Sequence, residues 1–140
     1  RMFNYMFMPY RRYFDFRGRS CRSEYWYFML LFVGSLLPVY AFLSSFGVDD
    51  PGFDPDSAGP VFYGVLFAWG LFFFGSAIPA IAVEVRRWHD LDKSGWYWLL
   101  HFVPVIGGVI VLFAMLLPGT SGSNRFGSDP RDKHATKVFS

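Results

Sequence analysis

Charged side chains and cysteine are both scarce in this sequence. Only 17% of the 140 residues are charged, whereas 53% are hydrophobic and 22% are aromatic. A soluble domain usually carries about 25% charged residues, so this composition argues against an ordinary water-exposed surface. Cys21 is the single cysteine. It cannot form an internal disulfide, and nothing in the sequence requires an oxidising compartment.

Three long stretches contain almost no charge, and each is long enough to cross a bilayer. A helix rises about 1.5 Å per residue, so about 20 apolar residues cross about 30 Å of hydrocarbon. The pattern predicts an all-α integral membrane protein of one domain, residues 1–140, with three transmembrane helices and a polar C-terminal tail. The predicted helices are 24–46, 61–85 and 96–117, and the tail is 118–140.

The predicted first span follows a basic and aromatic segment, residues 1–22. Phe3, Phe7, Tyr10 and Phe14 are spaced by four, three and four residues, which places them on one face of a helix. This spacing predicts an amphipathic segment that lies at the membrane interface. Pro9 falls inside the pattern and is expected to kink or split the helix.

The distribution of Lys and Arg predicts a cytoplasmic N-terminus. Six precede the first span, three follow the second span and four lie in the tail, so this orientation places nine inside and four outside. The loop 47–60 contains four aspartates and no basic residue. An alternative is a third segment that turns back within the membrane at Pro104 and the pair Gly107 and Gly108, which places all 13 positive charges inside.

Small residues in the second span predict a surface for close helix packing. Helices in lipid associate through close van der Waals contact, which small side chains allow. The predicted packing face consists of Gly70, Gly75, Ser76 and Ala80. It suggests a membrane-protein partner or a second copy of the chain, in addition to membrane lipids.

Three sequence strings are specific when they are read together. They are FRGRSCRSEYW at 16–26, RRWHDLDKSGWYW at 86–98 and PGTSGSNRFGSDP at 118–130. Together they resemble the small bacterial inner-membrane proteins grouped as domain of unknown function family 805. Trp88, Tyr97, Ser121 and Ser128 depart from the usual pattern of that family. The resemblance implies a helical inner-membrane protein and carries over no catalytic residues.

The first two strings bring charged residues to the same predicted interface. Glu24 is expected to pair with Arg86 or Arg87 across two helices, and Arg86 and Asp90 have a favourable i, i+4 spacing. Such a cluster either joins helices through ion pairs or binds anionic lipid headgroups. Its predicted members are Arg19, Arg22, Glu24, Arg86, Arg87, His89 and Asp90.

The sequence favours a protein without catalytic chemistry. His89 and His101 invite a metal or haem hypothesis, but two histidines without cysteines or spaced carboxylates are a weak pattern. We therefore expect no enzyme activity, no metal, no cofactor and no nucleic-acid partner. The leading hypothesis is an accessory or scaffold subunit that packs against a larger membrane complex. The alternatives are an anionic-lipid-binding or membrane-stress protein and an oligomeric transport component.

Overall fold

The structure is a computed structural model that describes residues 2–132, and this part of the chain is helical with no strand. Arg1 and residues 133–140 of the predicted segments lie outside the described residues. The α-helices are α1 (Met2–Arg11), α2 (Arg22–Gly34), α3 (Leu36–Ser44), α4 (Gly59–Asp90) and α5 (Ile106–Leu116). Two 3-10 helices cover Pro55–Ser57 and Gly95–Phe102.

Helices α2 and α3 form one almost continuous apolar element, Arg22–Ser44. With 23 residues it is long and apolar enough to cross a membrane. The two helices meet at Ser35, whose hydroxyl donates to the carbonyl of Phe32 at 2.7 Å. Pro38 has no N–H for the next helical hydrogen bond, which explains why the helix is interrupted here. The helix predicted over 24–46 is therefore present, with a break near its middle.

Helix α4 is the second element that is long and apolar enough to cross a membrane. It begins at Gly59, directly after a short 3-10 turn that Asp54 caps, and continues for 32 residues to Asp90. The predicted helix ended at residue 85. The final turn beyond that point carries Arg86, Arg87 and Asp90 of the second string, so these side chains are held on a regular helix.

Residues 96–117 do not form the single continuous helix that we predicted. The 3-10 helix ends at Phe102, Val105 has a positive φ of 60°, and α5 starts only at Ile106. Pro104 lacks an N–H and disfavours helical geometry in the preceding residue, which explains the break. The 11 residues of α5 extend about 16 Å, well short of the about 30 Å of a bilayer core.

Both ends of this divided segment lie beside the C-terminal end of α4. At one end, an added Cβ on Gly95 would meet the side chain of Val85 in α4. At the other end, Arg87 donates to the carbonyl of Leu117, and the amide of Thr120 donates to the carbonyl of Asp90 at 2.8 Å. The segment thus leaves the end of α4 and returns to it.

Helix α1 packs against α2 and α4. The hydroxyls of Tyr10 and Ser76 are 2.6 Å apart, and Tyr13 donates to the carbonyl of Gly75 at 2.5 Å. The helix runs through Pro9, so our expectation of a split at this position was wrong. The core below α1 is formed by α2, α4 and α5, with members Tyr25, Phe28, Ala80, Val83, Trp88, Val111, Ala114 and Met115.

Candidate functional site

Five charged side chains that are almost fully buried meet at the end of α4. We call this group the buried charge cluster, and it consists of Arg19, Glu24, Arg86, Arg87 and Asp90. Helix α4 supplies three members from its last two turns, α2 supplies one from its first turn, and the loop before α2 supplies the fifth. A buried charge is costly unless it is paired and hydrogen-bonded, so the partners of each member determine what the cluster does.

Arg86 joins α4 to the start of α2. Its Nη2 donates to Glu24 Oε1 at 2.9 Å, and the exposed fractions of the two side chains are 0% and 3%. Its Nε donates to the hydroxyl of Ser20 at 2.9 Å, and its Nη1 donates to the carbonyls of Asp15 and Arg12. The predicted pairing of Glu24 with one of the two arginines is confirmed for Arg86, which also holds the chain that leads into α2.

Asp90 is shared by two other arginines. Arg19 donates to Asp90 Oδ1 from Nη2 at 2.8 Å and from Nε at 3.0 Å, a fork geometry that matches a carboxylate. Arg87 Nη1 donates to Asp90 Oδ2. The favourable i, i+4 spacing of Arg86 and Asp90 is not used for an ion pair. The guanidinium of Arg86 binds Glu24, while Arg19 and Arg87 bind the two oxygens of Asp90.

The same arginines fix the start of the polar tail. Arg19 donates to the carbonyl of Thr120 at 2.6 Å and to the carbonyl of Gly122 at 2.5 Å. The Thr120 hydroxyl donates to the carbonyl of Asp90 at 3.0 Å. Gly119 lies so close to Asp90 that an added Cβ would overlap its carboxylate. The buried charge cluster therefore connects the N-terminal segment, the end of α4 and the tail.

His89 contacts the turn of the tail and takes part in no ion pair among the described residues. Its ring stacks on Phe126 with the ring centres 4.0 Å apart, and its Nδ1 lies 3.0 Å from the carbonyl of Gly18. Because a carbonyl only accepts, Nδ1 carries the hydrogen and donates to it. Asn124 donates to the backbone carbonyl of His89 at 2.9 Å, and Arg125 lies over the Phe126 ring.

Arg22, the remaining predicted member, lies outside the buried charge cluster. Its side chain is exposed, and its Nη1 donates to the carbonyl of Leu116 at 3.3 Å. Within residues 2–132 no carboxylate lies within ion-pair distance of Arg22. Of the seven predicted residues, five form the buried charge cluster, His89 contacts Gly18 and Phe126 instead, and Arg22 faces outward.

The four small residues predicted as one packing face do not share a face. Ser76 and Ala80 are buried and point inward, toward α1 and the core, whereas Gly75 is exposed and Gly70 is half-buried. Residues on an α-helix are separated by about 100° of rotation each, so Gly70 and Gly75 point about 140° apart. The inward half of the predicted surface is used within the protein itself.

Sequence reasoning missed a third buried carboxylate, Glu84, on the inner side of α4. His101 Nε2 lies 2.8 Å and 3.0 Å from the two oxygens of Glu84, and Trp88 Nε1 donates to the same carboxylate at 3.4 Å. An acidic residue inside an apolar helix was the available signal, because such a residue needs a partner. The partner depends on the 3-10 geometry of Gly95–Phe102, which the sequence pattern did not reveal.

Titratable groups outside the long helices have perturbed pKa values. Burial raises the pKa of the Cys21 thiol, because the thiolate loses hydration. Hydrogen bonds from the Arg131 side chain lower the pKa of Asp129 from 3.8 to about 2. In the described part of the chain, no three side chains of His, Cys, Asp or Glu are grouped so that they could hold a metal ion.

Comparison with known proteins identifies the family of the chain. The family described as "Protein of unknown function (DUF805)" matches residues 13–128. Inner membrane protein YhaI of Escherichia coli K12 is 35% identical over 123 residues, which cover 86% of this chain and 90% of that protein. Inner membrane protein YhaH of the same organism is 37% identical over 122 residues, which cover 86% and 91%. No solved structure matches the chain. The chain therefore belongs to the DUF805 family, a membrane protein family of unknown function, as its three sequence strings predicted.

Proposed function

We propose that the protein is a non-catalytic accessory or scaffold subunit of the bacterial inner membrane. The observation that carries this proposal is how the buried charge cluster is used. Its arginines and carboxylates bind one another and the protein's own backbone, and each side chain in it is at most 5% exposed. What the described residues offer to a partner is mainly apolar, including Phe67, Leu71 and Phe74 on α4, which are 70%, 62% and 76% exposed.

We further propose that the chain crosses the membrane twice, with both termini in the cytoplasm. Helices α2 and α3 form one crossing and α4 forms the other, while residues 95–117 enter and leave on the same side. This proposal is supported by the tail's contacts: Thr120 and Arg19 could not bond as they do if a bilayer separated the tail from Asp90. Non-helical backbone at membrane depth is tolerated where protein or water covers it. The break at residues 103–105 is exposed in the single chain, so this topology requires a partner or water to cover it.

The charge distribution agrees with this topology. All 13 Lys and Arg residues lie in the N-terminal segment, the end of α4 with its following loop, and the tail. The four aspartates of the loop 47–60 lie between the end of α3 and the start of α4. This end of the helices is the one away from the basic residues. The positive-inside rule then places the basic end in the cytoplasm.

Single-cysteine labelling in a background that lacks Cys21 tests the topology. Ser57→Cys, Lys93→Cys and Ser123→Cys each replace an exposed residue. With an impermeant thiol reagent on intact inner-membrane vesicles of known orientation, we expect Ser57→Cys to react from the periplasmic side and the other two from the cytoplasmic side. Periplasmic labelling of Ser123→Cys would show that the tail crosses the membrane, and periplasmic labelling of Lys93→Cys would show the opposite orientation.

The outward side of α4 is the surface that we propose for a partner helix. Gly64 and Gly75 are 11 residues apart, which is about three helical turns, and both are exposed. No atom lies within 4 Å of an added Cβ at either position, so a partner backbone can approach there. The partner is a helix of another membrane protein or of a second copy of this chain.

A matched pair of substitutions tests this surface. No atom lies within 4 Å of an added Cβ at Gly75. Circular dichroism verifies that Gly75→Leu retains its helix content, so that its effect reports assembly rather than folding. Gly108→Leu is the control, because Gly108 is also exposed and open but lies on α5. After solubilisation of native membranes in mild detergent, we expect Gly75→Leu to lose a co-purifying mass that Gly108→Leu retains. An unchanged complex mass in both variants would refute the proposed surface.

A further inference from the structure

An apolar groove runs along the outer surface of α2 and continues onto α3. It has a volume of about 710 Å³, and its lining includes Trp26, Leu30, Val33, Gly34 and Leu37. Gly34 leaves the middle of the groove open, since no atom lies within 4 Å of an added Cβ at this position. This volume falls within the range of about 300–1,000 Å³ that is typical of small-ligand sites.

One end of the groove is polar and positively charged. An adjoining cavity of about 410 Å³ is lined by Arg22, Ser23, Trp26, Tyr27 and Leu116, so the two cavities share a wall made of Trp26 and Tyr27. Arg22 and Ser23 are both exposed. Arg22 is the arginine that the buried charge cluster leaves out, and its one polar contact among the described residues is the carbonyl of Leu116. Its charge is therefore available to an anionic group at the mouth of the groove.

We propose that this groove binds one anionic phospholipid, with its phosphate at Arg22 and Ser23 and an acyl chain along α2 toward Leu37. The dimensions match, because the 11 residue steps from Trp26 to Leu37 rise about 16 Å and one leaflet of hydrocarbon is about 15 Å thick. Trp26 lies at the junction of the polar and apolar parts, which is the position that tryptophan prefers at a membrane interface. Its Nε1 donates to the carbonyl of Met115 at 3.2 Å, so the ring is held in place.

This site is separate from the accessory role proposed above, which concerns the outer side of α4. The proposed topology enters only in assigning the lipid to the cytoplasmic leaflet. A binding measurement in detergent depends on neither proposal, so a failure of the lipid site is distinguishable from a failure of the partner surface.

Native mass spectrometry of the purified full chain, titrated with phosphatidylglycerol or with phosphatidylethanolamine, measures binding of an anionic and a zwitterionic lipid. Arg22→Gln removes the charge at the mouth. Gly34→Leu adds a side chain to the middle of the groove, where an added Cβ meets no atom within 4 Å. The controls are Arg11→Gln, an exposed arginine outside the groove, and Gly108→Leu, an open glycine on α5 outside the groove. Circular dichroism verifies that every variant retains its helix content.

We expect Arg22→Gln to weaken phosphatidylglycerol binding by about five-fold. Phosphatidylethanolamine binding should weaken less, because the ammonium of that lipid already offsets the charge of its phosphate. Gly34→Leu should weaken the binding of both lipids, and both controls should bind as the unmodified chain does. Equal effects of Arg22→Gln and Arg11→Gln would overturn the headgroup site. Unchanged lipid binding by Gly34→Leu, or loss of a dimer in that variant, would overturn the proposed occupant, since the groove would then be unused or would hold a second copy.

Discussion

The pair formed by Glu24 and Arg86 provides the most direct test of what holds the helices together. Glu24→Gln keeps the shape of the side chain and removes its charge. Arg86 would remain 0% exposed, with only neutral acceptors from Ser20, Asp15 and Arg12. Removing one partner of a buried ion pair typically costs about 3 to 5 kcal/mol, because the other charge is stranded. Glutamine can still accept one hydrogen bond from Arg86, so we expect a loss near 3 kcal/mol.

The control for this prediction is an exposed ion pair in the same protein. Arg125 and Asp92 are 3.3 Å apart with side-chain exposures of 62% and 47%, and such pairs contribute about 0 to 1 kcal/mol. Asp92→Asn also tolerates the positive φ of 57° at this position. Unfolding by denaturing detergent, followed by circular dichroism, measures both variants. If Glu24→Gln loses less than about 1 kcal/mol and matches Asp92→Asn, the pair does not join α2 to α4.

Three further outcomes follow from close contacts and pKa shifts. Gly107→Ala should destabilise the protein by at least about 1 to 3 kcal/mol in the same unfolding assay, because the added Cβ would overlap a backbone carbonyl, whereas Gly108→Ala has open space and should be tolerated. Cys21 should react with a thiol reagent more slowly in the folded than in the unfolded protein at equal pH, since burial raises its thiol pKa; equal rates would contradict this. The carboxyl of Asp129 should titrate near pH 2 by carbon-13 NMR, and Arg131→Gln should return it toward 3.8. Because the folded pKa is the lower one, its stabilisation of the tail is complete above pH 3.8 and is lost as the pH falls to about 2.

The two long helical elements were predictable because their apolar runs alone satisfy the length of a bilayer. The third run satisfied the same condition and still does not form one helix. Its apolar composition could not distinguish a helix from a turn, and Pro104 was the only strong local breaker. Gly107 matters through its approach to the backbone of Leu100, a contact that exists only once the segment has folded back. The returning path was one of two alternatives that the sequence left open.

The candidate site was predictable to the extent that its residues lie at helix ends. Glu24 opens α2 and Arg86 lies near the end of α4, so antiparallel neighbours bring them together. The pairing of Arg19 with Asp90 was not predictable, because Arg19 lies in the irregular segment before α2. Its direction follows the backbone at Gly18, where φ is 76°, a conformation that favours glycine.

The position of Arg19 explains why the basic segment and the distant tail belong to one folding unit. Its guanidinium is 1% exposed, and it is satisfied by Asp90 on one side and by the tail carbonyls of Thr120 and Gly122 on the other. Without the tail, those donors would face an apolar interior or water at the membrane edge, and a buried donor without an acceptor costs about 1 to 3 kcal/mol, more when it is charged. Asp90 likewise depends on both Arg19 and Arg87 for its neutralisation. Since each of these groups requires the others to be in place, the end of α4 is ordered by the N-terminal segment and the tail together. The two long apolar helical elements are therefore held at this end by polar contacts rather than by apolar packing alone.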